Sequence, residues 1–267
     1  MFSAFSCTKD KVDSKSVTDS IKNVTGQIDN VKKSSKLSAS LTEDFTVTTT
    51  DKKDISGSLY FSESLKTESQ PLVILAHQFN ETRSQWQQSF IDSLLGSGFK
   101  VLTFDIRGHG SSSKQNGNLE DVLSDPEQAP NDIKAITDWA KNRQGIDSAR
   151  IAVIGTSIGG NLALYAGLNC GVKVPIAVSN GKSGFEAFTG YNEMMMGRPH
   201  FPRVKNVLLI TGSKDGDTER GQKWIYDNFC DFPKEMKVYD SDKHGKSLIT
   251  EQTDVNELIL SWLRKYL

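Results

Sequence analysis

A serine, an aspartate and a histidine can together carry out acyl transfer, and this chain has a candidate for each. Ser157 lies in "RIAVIGTSIGGNLALYAGL" (150–168), where Gly155-Thr156-Ser157-Ile158-Gly159 fits G-x-S-x-G. The pattern is short and matches by chance often, so its surroundings must decide. A serine hydroxyl is a weak nucleophile unless a base takes its proton. His244, in "VYDSDKHGKSL", follows the last predicted strand, and Asp215 ends "NVLLITGSKD". Ser157, then Asp215, then His244 is the chain order of a nucleophile, an orienting acid and a base built around a nucleophile elbow. Asp217, in the same turn, competes for the acid role. His109 precedes the nucleophile and is not chosen as base; His77 stands at a strand end, where it braces a loop or simply packs. His200, in "RPHFPR", reads as a surface or pocket-rim residue.

The elements around these residues support the reading. "DFTVTTTDKKDISGSLYFSES" alternates apolar and polar residues about a charged turn, which predicts an antiparallel hairpin. "PLVILAH", "KVLTFDIRGHG", "RIAVIG", "VPIAVSNG", "KNVLLITGSKD" and "EMKVYDS" read as further strands, the first of them a continuous apolar run of the kind buried on both faces. Between them, "RSQWQQSFIDSLLGSG" puts Trp86, Phe90, Leu94 and Leu95 on one helix face. "NDIKAITDWAKNRQ" has Asn131 as its cap and an apolar stripe through Ile133, Ile136, Trp139 and Ala140. "GGNLALYAGL" and "VNELILSWLRKYL" complete the helices. Strands alternating with helices predict an α/β fold with a mainly parallel sheet, helices on both faces and a starting antiparallel hairpin. Ligands then sit beyond the carboxyl ends of the strands.

"LAHQFNETRSQW", "VLTFDIRGHGSS", "IAVIGTSIGGNLALYA", "LLITGSKD" and "VYDSDKHGKSL", in that order, resemble the α/β-hydrolase superfamily, and within it bacterial esterase-like and dienelactone-hydrolase-like members. The likeness runs from about Glu43 to Leu267. It implies a triad of Ser157, Asp215 and His244 and an oxyanion hole from the backbone N–H groups of Phe79 and Ile158, with no metal or organic cofactor. His77-Gln78-Phe79 departs from the superfamily's usual His-Gly pair, so the loop either bends differently or gains a polar contact from the Gln78 side chain. In the later loop "DIRGHGSS" (105–112), Asp105 and Arg107 tie the chain down by charge-assisted bonds. The segment "GKSGFEAFTGYNEMMMGRPHFPRV" stands where lids are often inserted, but it is too short for a cap domain, since domains rarely fall below about 50 residues. Gln78, Phe188, Tyr191 and Met195 are the substrate-binding candidates, with packing as the alternative for the methionines.

The expected activity is hydrolysis of small or medium carboxylic esters. Thioesters, lactones and short peptides use the same machinery, and a non-catalytic binding module is the alternative from another class. The chain has 267 residues, with 32 basic and 33 acidic side chains and a formal net charge of −1, so no global field favours nucleic acid. No apolar run approaches the length of a membrane span. Three cysteines provide no disulfide framework, and the four histidines show no metal-ligand spacing. Residues 1–40 differ in composition and read as a polar tether or short helix, with the catalytic domain at 41–267. "MFSAFSC" resembles the end of a lipoprotein signal, so Cys7 is a candidate lipid-anchor site, which would place the protein at a bacterial cell envelope; otherwise it is cytoplasmic.

Overall fold

The computed structural model describes residues 40–63, 66–195 and 201–267. The tether reading of residues 1–40, Cys7 and His200 therefore lie outside the described residues, apart from Ser40. Eight strands form one sheet in the order β1-β2-β4-β3-β5-β6-β7-β8. The strands β1 (Ser40–Thr48) and β2 (Asp54–Ser62) form the expected hairpin, with alternating burial on β1 because only one of its faces is covered. β2 also pairs antiparallel with β4 (Lys100–Phe104); every pairing beyond it is parallel.

The central strands are apolar throughout because both faces are covered. In β3 (Gln70–Ala76), Leu72, Ile74 and Ala76 enter one core while Val73 and Leu75 enter the other. β5 (Ile146–Thr156) divides in the same way, with Val153 on one side and Ile154 on the other. The first core is closed by α2 (Ala129–Lys141) and α3 (Ile158–Asn169). The second is closed by α1 (Gln88–Gly96) and α7 (Val255–Tyr266). A third cluster fills the side near β6 (Val174–Val178) and β7 (Val207–Gly212), under α4 (Lys182–Thr189) and α5 (Thr218–Phe229). β8 (Lys234–Tyr239) ends the sheet, followed by the short α6 (Lys246–Glu251).

Two boundaries differ from the sequence expectation. α1 begins at Gln88, after a single turn over Arg83–Gln85 that the Thr82 hydroxyl caps, so Trp86 precedes the helix. Trp86 still packs inward, stacked near Phe90 at 5.9 Å between ring centroids. α2 starts at Ala129, with Pro130 in its first turn, where a missing N–H costs nothing. Asn131 is therefore inside the helix, and its side chain donates back to the Glu127 carbonyl rather than capping.

The sheet order also says where a site should form. From β3 the chain crosses to β4 on one side; from β5 it crosses to β6 on the other. The crossovers diverge between β3 and β5, which opens a crevice at their carboxyl ends. His77 follows β3 there, and Ser157 follows β5.

Candidate active site

Ser157 sits between the end of β5 and the first turn of α3 with φ 53° and ψ −116°. A side chain pays of order 1–3 kcal/mol for such a backbone, so the surroundings must impose it. They do so by crowding. A Cβ on Gly155 would overlap the Gly159 carbonyl, and one on Gly159 would overlap the Ala76 carbonyl at the end of β3. Only glycine at both positions lets strand, turn and helix approach this closely. The Ser157 N–H is held by the Val178 carbonyl of the next strand at 2.8 Å. The Ser157 hydroxyl has no hydrogen-bond partner among the described residues, and it stands at the helix N-terminus, where peptide dipoles favour negative charge.

Asp215 and His244 meet across the ends of β7 and β8. Nδ1 of His244 donates to the Asp215 carboxylate, 2.9 Å from both oxygens, while Asp215 is only 9% exposed. Their loops are tied together by backbone bonds, Ser213 N–H to Tyr239 O and Lys214 N–H to Ser241 O. Gly212 permits this, since a Cβ there would overlap the Ser241 carbonyl. Asp217 lies in the same loop but points elsewhere: it is ion-paired with Arg220 at 2.7 Å, and its side chain is 84% exposed. The geometry therefore pairs the histidine with Asp215.

The histidine loop lies against the nucleophile turn. Gly245, directly after His244, has φ 52°, and a Cβ on it would stand 3.3 Å from the Thr156 Cβ. The residue after His244 is thus held beside the residue that precedes Ser157. No hydrogen bond joins the Ser157 hydroxyl to the imidazole, whose Nε2 has no partner among the described residues.

The loop after β3 is held by two histidines. His77 is fully buried; its Nε2 accepts from the Ile106 N–H at 2.9 Å, and its Nδ1 donates to the Gln78 carbonyl at 2.7 Å. His109 repeats the pattern, accepting from Asn80 N–H at 3.1 Å and donating to the Arg107 carbonyl at 3.1 Å. Both rings are neutral in this arrangement, since each needs one nitrogen as acceptor. Burial pushes the His77 pKa down to about 4. Asn80 has φ 61°, so the left-handed residue of this loop lies two positions beyond Gln78, where the superfamily has glycine. Gln78 is left free to use its side chain, and Oε1 accepts from the Lys246 N–H at 2.9 Å. The backbone N–H groups of Phe79 and Ile158 have no acceptor among the described residues.

Below this loop, Asp105 accepts from the N–H groups of Arg83 and Ser111, at 2.7 and 3.0 Å. Arg107 is wholly buried and bonds both Asp132 and Asp51. The guanidinium beside it holds the Asp51 carboxyl below its ordinary range.

The substrate candidates divide. Phe188 is 3% exposed and shares the first core cluster with Ile158, against which Phe79 also packs. Tyr191 packs on Phe201 and Phe229 in the third cluster, with ring centroids 4.7 and 6.3 Å away. Met195 closes the turn Glu193–Met195, and its side chain lies outside the described residues. Sequence reasoning missed Gln85. It is 5% exposed and links the Gln78 N–H to the Thr156 hydroxyl. Its place in "RSQW" carries no signal of that role.

Residues 71–181 match a family described as alpha/beta hydrolase fold. Among solved structures, an acetyl xylan esterase from Paenibacillus sp. R4 superimposes with TM-score 0.67 at 19% identity, covering 88% of this chain and 86% of that one. The Pyrococcus furiosus esterase Pf2001 does so with TM-score 0.63 at 21% identity, covering 85% and 93%. The chain has the α/β-hydrolase fold. Sequence relatives are similar over shorter stretches. The quorum-quenching protein AidA of Acinetobacter baumannii is 30% identical over 119 residues, which span 45% of this chain and 38% of that protein. An uncharacterized 31.7 kDa protein of Escherichia coli is 37% identical over 90 residues, 34% of this chain and 30% of its own length. In this fold, the loops after β3, β5, β7 and β8 form a rim at the carboxyl ends of the strands. No helix among the described residues is long and apolar enough to cross a membrane.

Proposed function

We propose that this α/β-hydrolase domain, residues 41–267, is a serine esterase that cleaves small or medium carboxylic esters through an acyl-enzyme. The observation that carries the reading is the Asp215–His244 pair on a loop whose Gly245 packs against Thr156, the residue before a serine in an elbow conformation. His244 takes the Ser157 proton as the oxygen attacks the ester carbonyl, and Asp215 stabilises the imidazolium that forms. The Phe79 and Ile158 N–H groups, both without an acceptor among the described residues, stabilise the oxyanion, worth roughly 3–4 kcal/mol per donor in related chemistry. His244 returns the proton to the leaving alcohol, and water, activated by the same imidazole, releases the acid.

Two features favour small or medium, varied esters. The His244 side chain is 43% exposed, so the base stands in an open site. A cavity of about 250 Å³ with Trp86, Phe90 and Ile249 in its wall adjoins the rim and shares Gln85 and Lys246 with it. The test is fluorophosphonate labelling together with hydrolysis of p-nitrophenyl acetate and butyrate. The wild type is expected to label and hydrolyse, and a folded Ser157→Ala to do neither. A folded wild type inert in both assays leaves the fold as a binding module.

A further inference from the structure

Three hydrogen bonds, two between loops and one within the loop after β3, link the three loops that carry the proposed machinery. Nε2 of Gln85 donates to the Thr156 hydroxyl at 2.9 Å. Oε1 of Gln85 accepts from the Gln78 backbone N–H at 3.1 Å. Oε1 of Gln78 accepts from the Lys246 N–H at 2.9 Å. Thr156 directly precedes Ser157, Gln78 directly precedes Phe79, and Lys246 lies two residues past His244. Two side-chain amides therefore span the nucleophile turn, the oxyanion loop and the histidine loop.

A buried amide is costly unless both its ends are bonded, whereas an apolar side chain of like volume carries no such penalty. Gln85 is buried and has both ends bonded. What it supplies that an apolar residue cannot is direction: hydrogen bonds fix relative position more tightly than non-directional contacts, and rate is sensitive to shifts of about 1 Å. Gln78 and Gly245 are matched in shape. A Cβ on Gly245 would run into Gln78 Oε1, so the glutamine fills the space that glycine leaves. The residue that departs from the superfamily's usual glycine is thus the one that bridges to the histidine loop.

We propose that Gln78 and Gln85 are positioning residues whose hydrogen-bonded relay, Thr156–Gln85–Gln78–Lys246, holds the Phe79 N–H, Ser157 and His244 in register for the attack on the ester. The proposal rests on the serine-esterase reading.

The test compares full-chain Gln78→Ala, Gln85→Ala and Thr156→Val with the bond-preserving Gln78→Glu and Thr156→Ser. Measured are kcat and KM for p-nitrophenyl butyrate, inhibition by a phenylboronic acid that forms a tetrahedral adduct, and the unfolding midpoint. The bond-breaking variants are expected to lose about 10- to 100-fold in kcat with KM within about 3-fold, and to bind the boronic acid more weakly by a similar factor. Thr156→Ser is expected to stay within about 3-fold of wild type and Gln78→Glu to recover part of the Gln78→Ala loss, because their oxygens still accept the same bonds. Folded Gln78→Ala and Thr156→Val with wild-type kcat and boronate affinity would overturn the relay. So would a loss that follows the unfolding midpoint and is not recovered by the bond-preserving pair. If Gln85→Ala does not fold, the other two sites decide. Hydrolysis undiminished in Ser157→Ala defeats the esterase reading itself; an inert Ser157→Ala beside unaffected glutamine variants defeats the relay alone.

Discussion

His244 and the His77–His109 pair serve one rim in opposite ways. The His244 side chain is 43% exposed, with one nitrogen on a carboxylate and the other without a partner among the described residues. His77 and His109 are 0% and 7% exposed, with both nitrogens of each ring engaged by backbone groups. The same side chain can carry a proton where one nitrogen is free and water can reach it, the role proposed for His244. It is a staple where burial and backbone partners hold it neutral.

That contrast can be broken at either end. The largest effect is expected at the exposed end: Ser157→Ala or His244→Ala should lower kcat by about 10⁴-fold or more without unfolding the protein, read by ester hydrolysis and circular dichroism. Asp215→Asn should cost roughly 10³- to 10⁴-fold, since it disturbs the tautomer of His244. Asp217→Asn, which removes only an exposed ion pair, should change kcat by less than about 2-fold. Equal losses at the two aspartates would remove the assignment of the acid.

At the buried end the expected losses are of stability. Arg107→Met leaves Asp132 buried without its cation and should cost about 3–5 kcal/mol in urea unfolding. His77 should make folding sensitive to acid. Its folded pKa of about 4 lies below its ordinary value of 6.5, so between these values the unfolded chain binds a proton that the folded chain refuses. Its contribution is complete above about pH 6.5 and is lost as the pH falls through 4, by about 3 kcal/mol in all. His77→Phe should flatten that slope and lower stability at pH 7 by about 1–3 kcal/mol, because the Ile106 N–H loses its acceptor. An unchanged slope in the variant would show that another group carries the acid sensitivity.

Much of the architecture was legible in the chain. "PLVILAH" reads as a strand buried on both sides, and the structure sends its residues alternately to two cores. Glycines around Ser157 announce a tight turn, and the overlaps at Gly155 and Gly159 supply the reason. Helix starts were less legible. Trp86 keeps the helical spacing yet precedes α1, and Asn131 resembles a cap yet lies inside α2, because a capped turn and a proline offered competing starts. The substrate candidates were least legible. Aromatic residues in 181–195 look alike in sequence whether they line a groove or pack, and Tyr191 was claimed by the Phe229 cluster through contacts far along the chain.

By itself, the sequence determined the strands, the mainly parallel sheet with its antiparallel hairpin, and which residues are candidates for acyl chemistry, because apolar periodicity and glycine spacing are local properties. Only the tertiary structure decided between Asp215 and Asp217, which share a turn and differ only in which one faces His244. Only it brought Gln85 between Thr156 and Gln78, 71 and 7 residues away along the chain. Such partners are set by how loops meet after the sheet has formed, and no local pattern records that meeting.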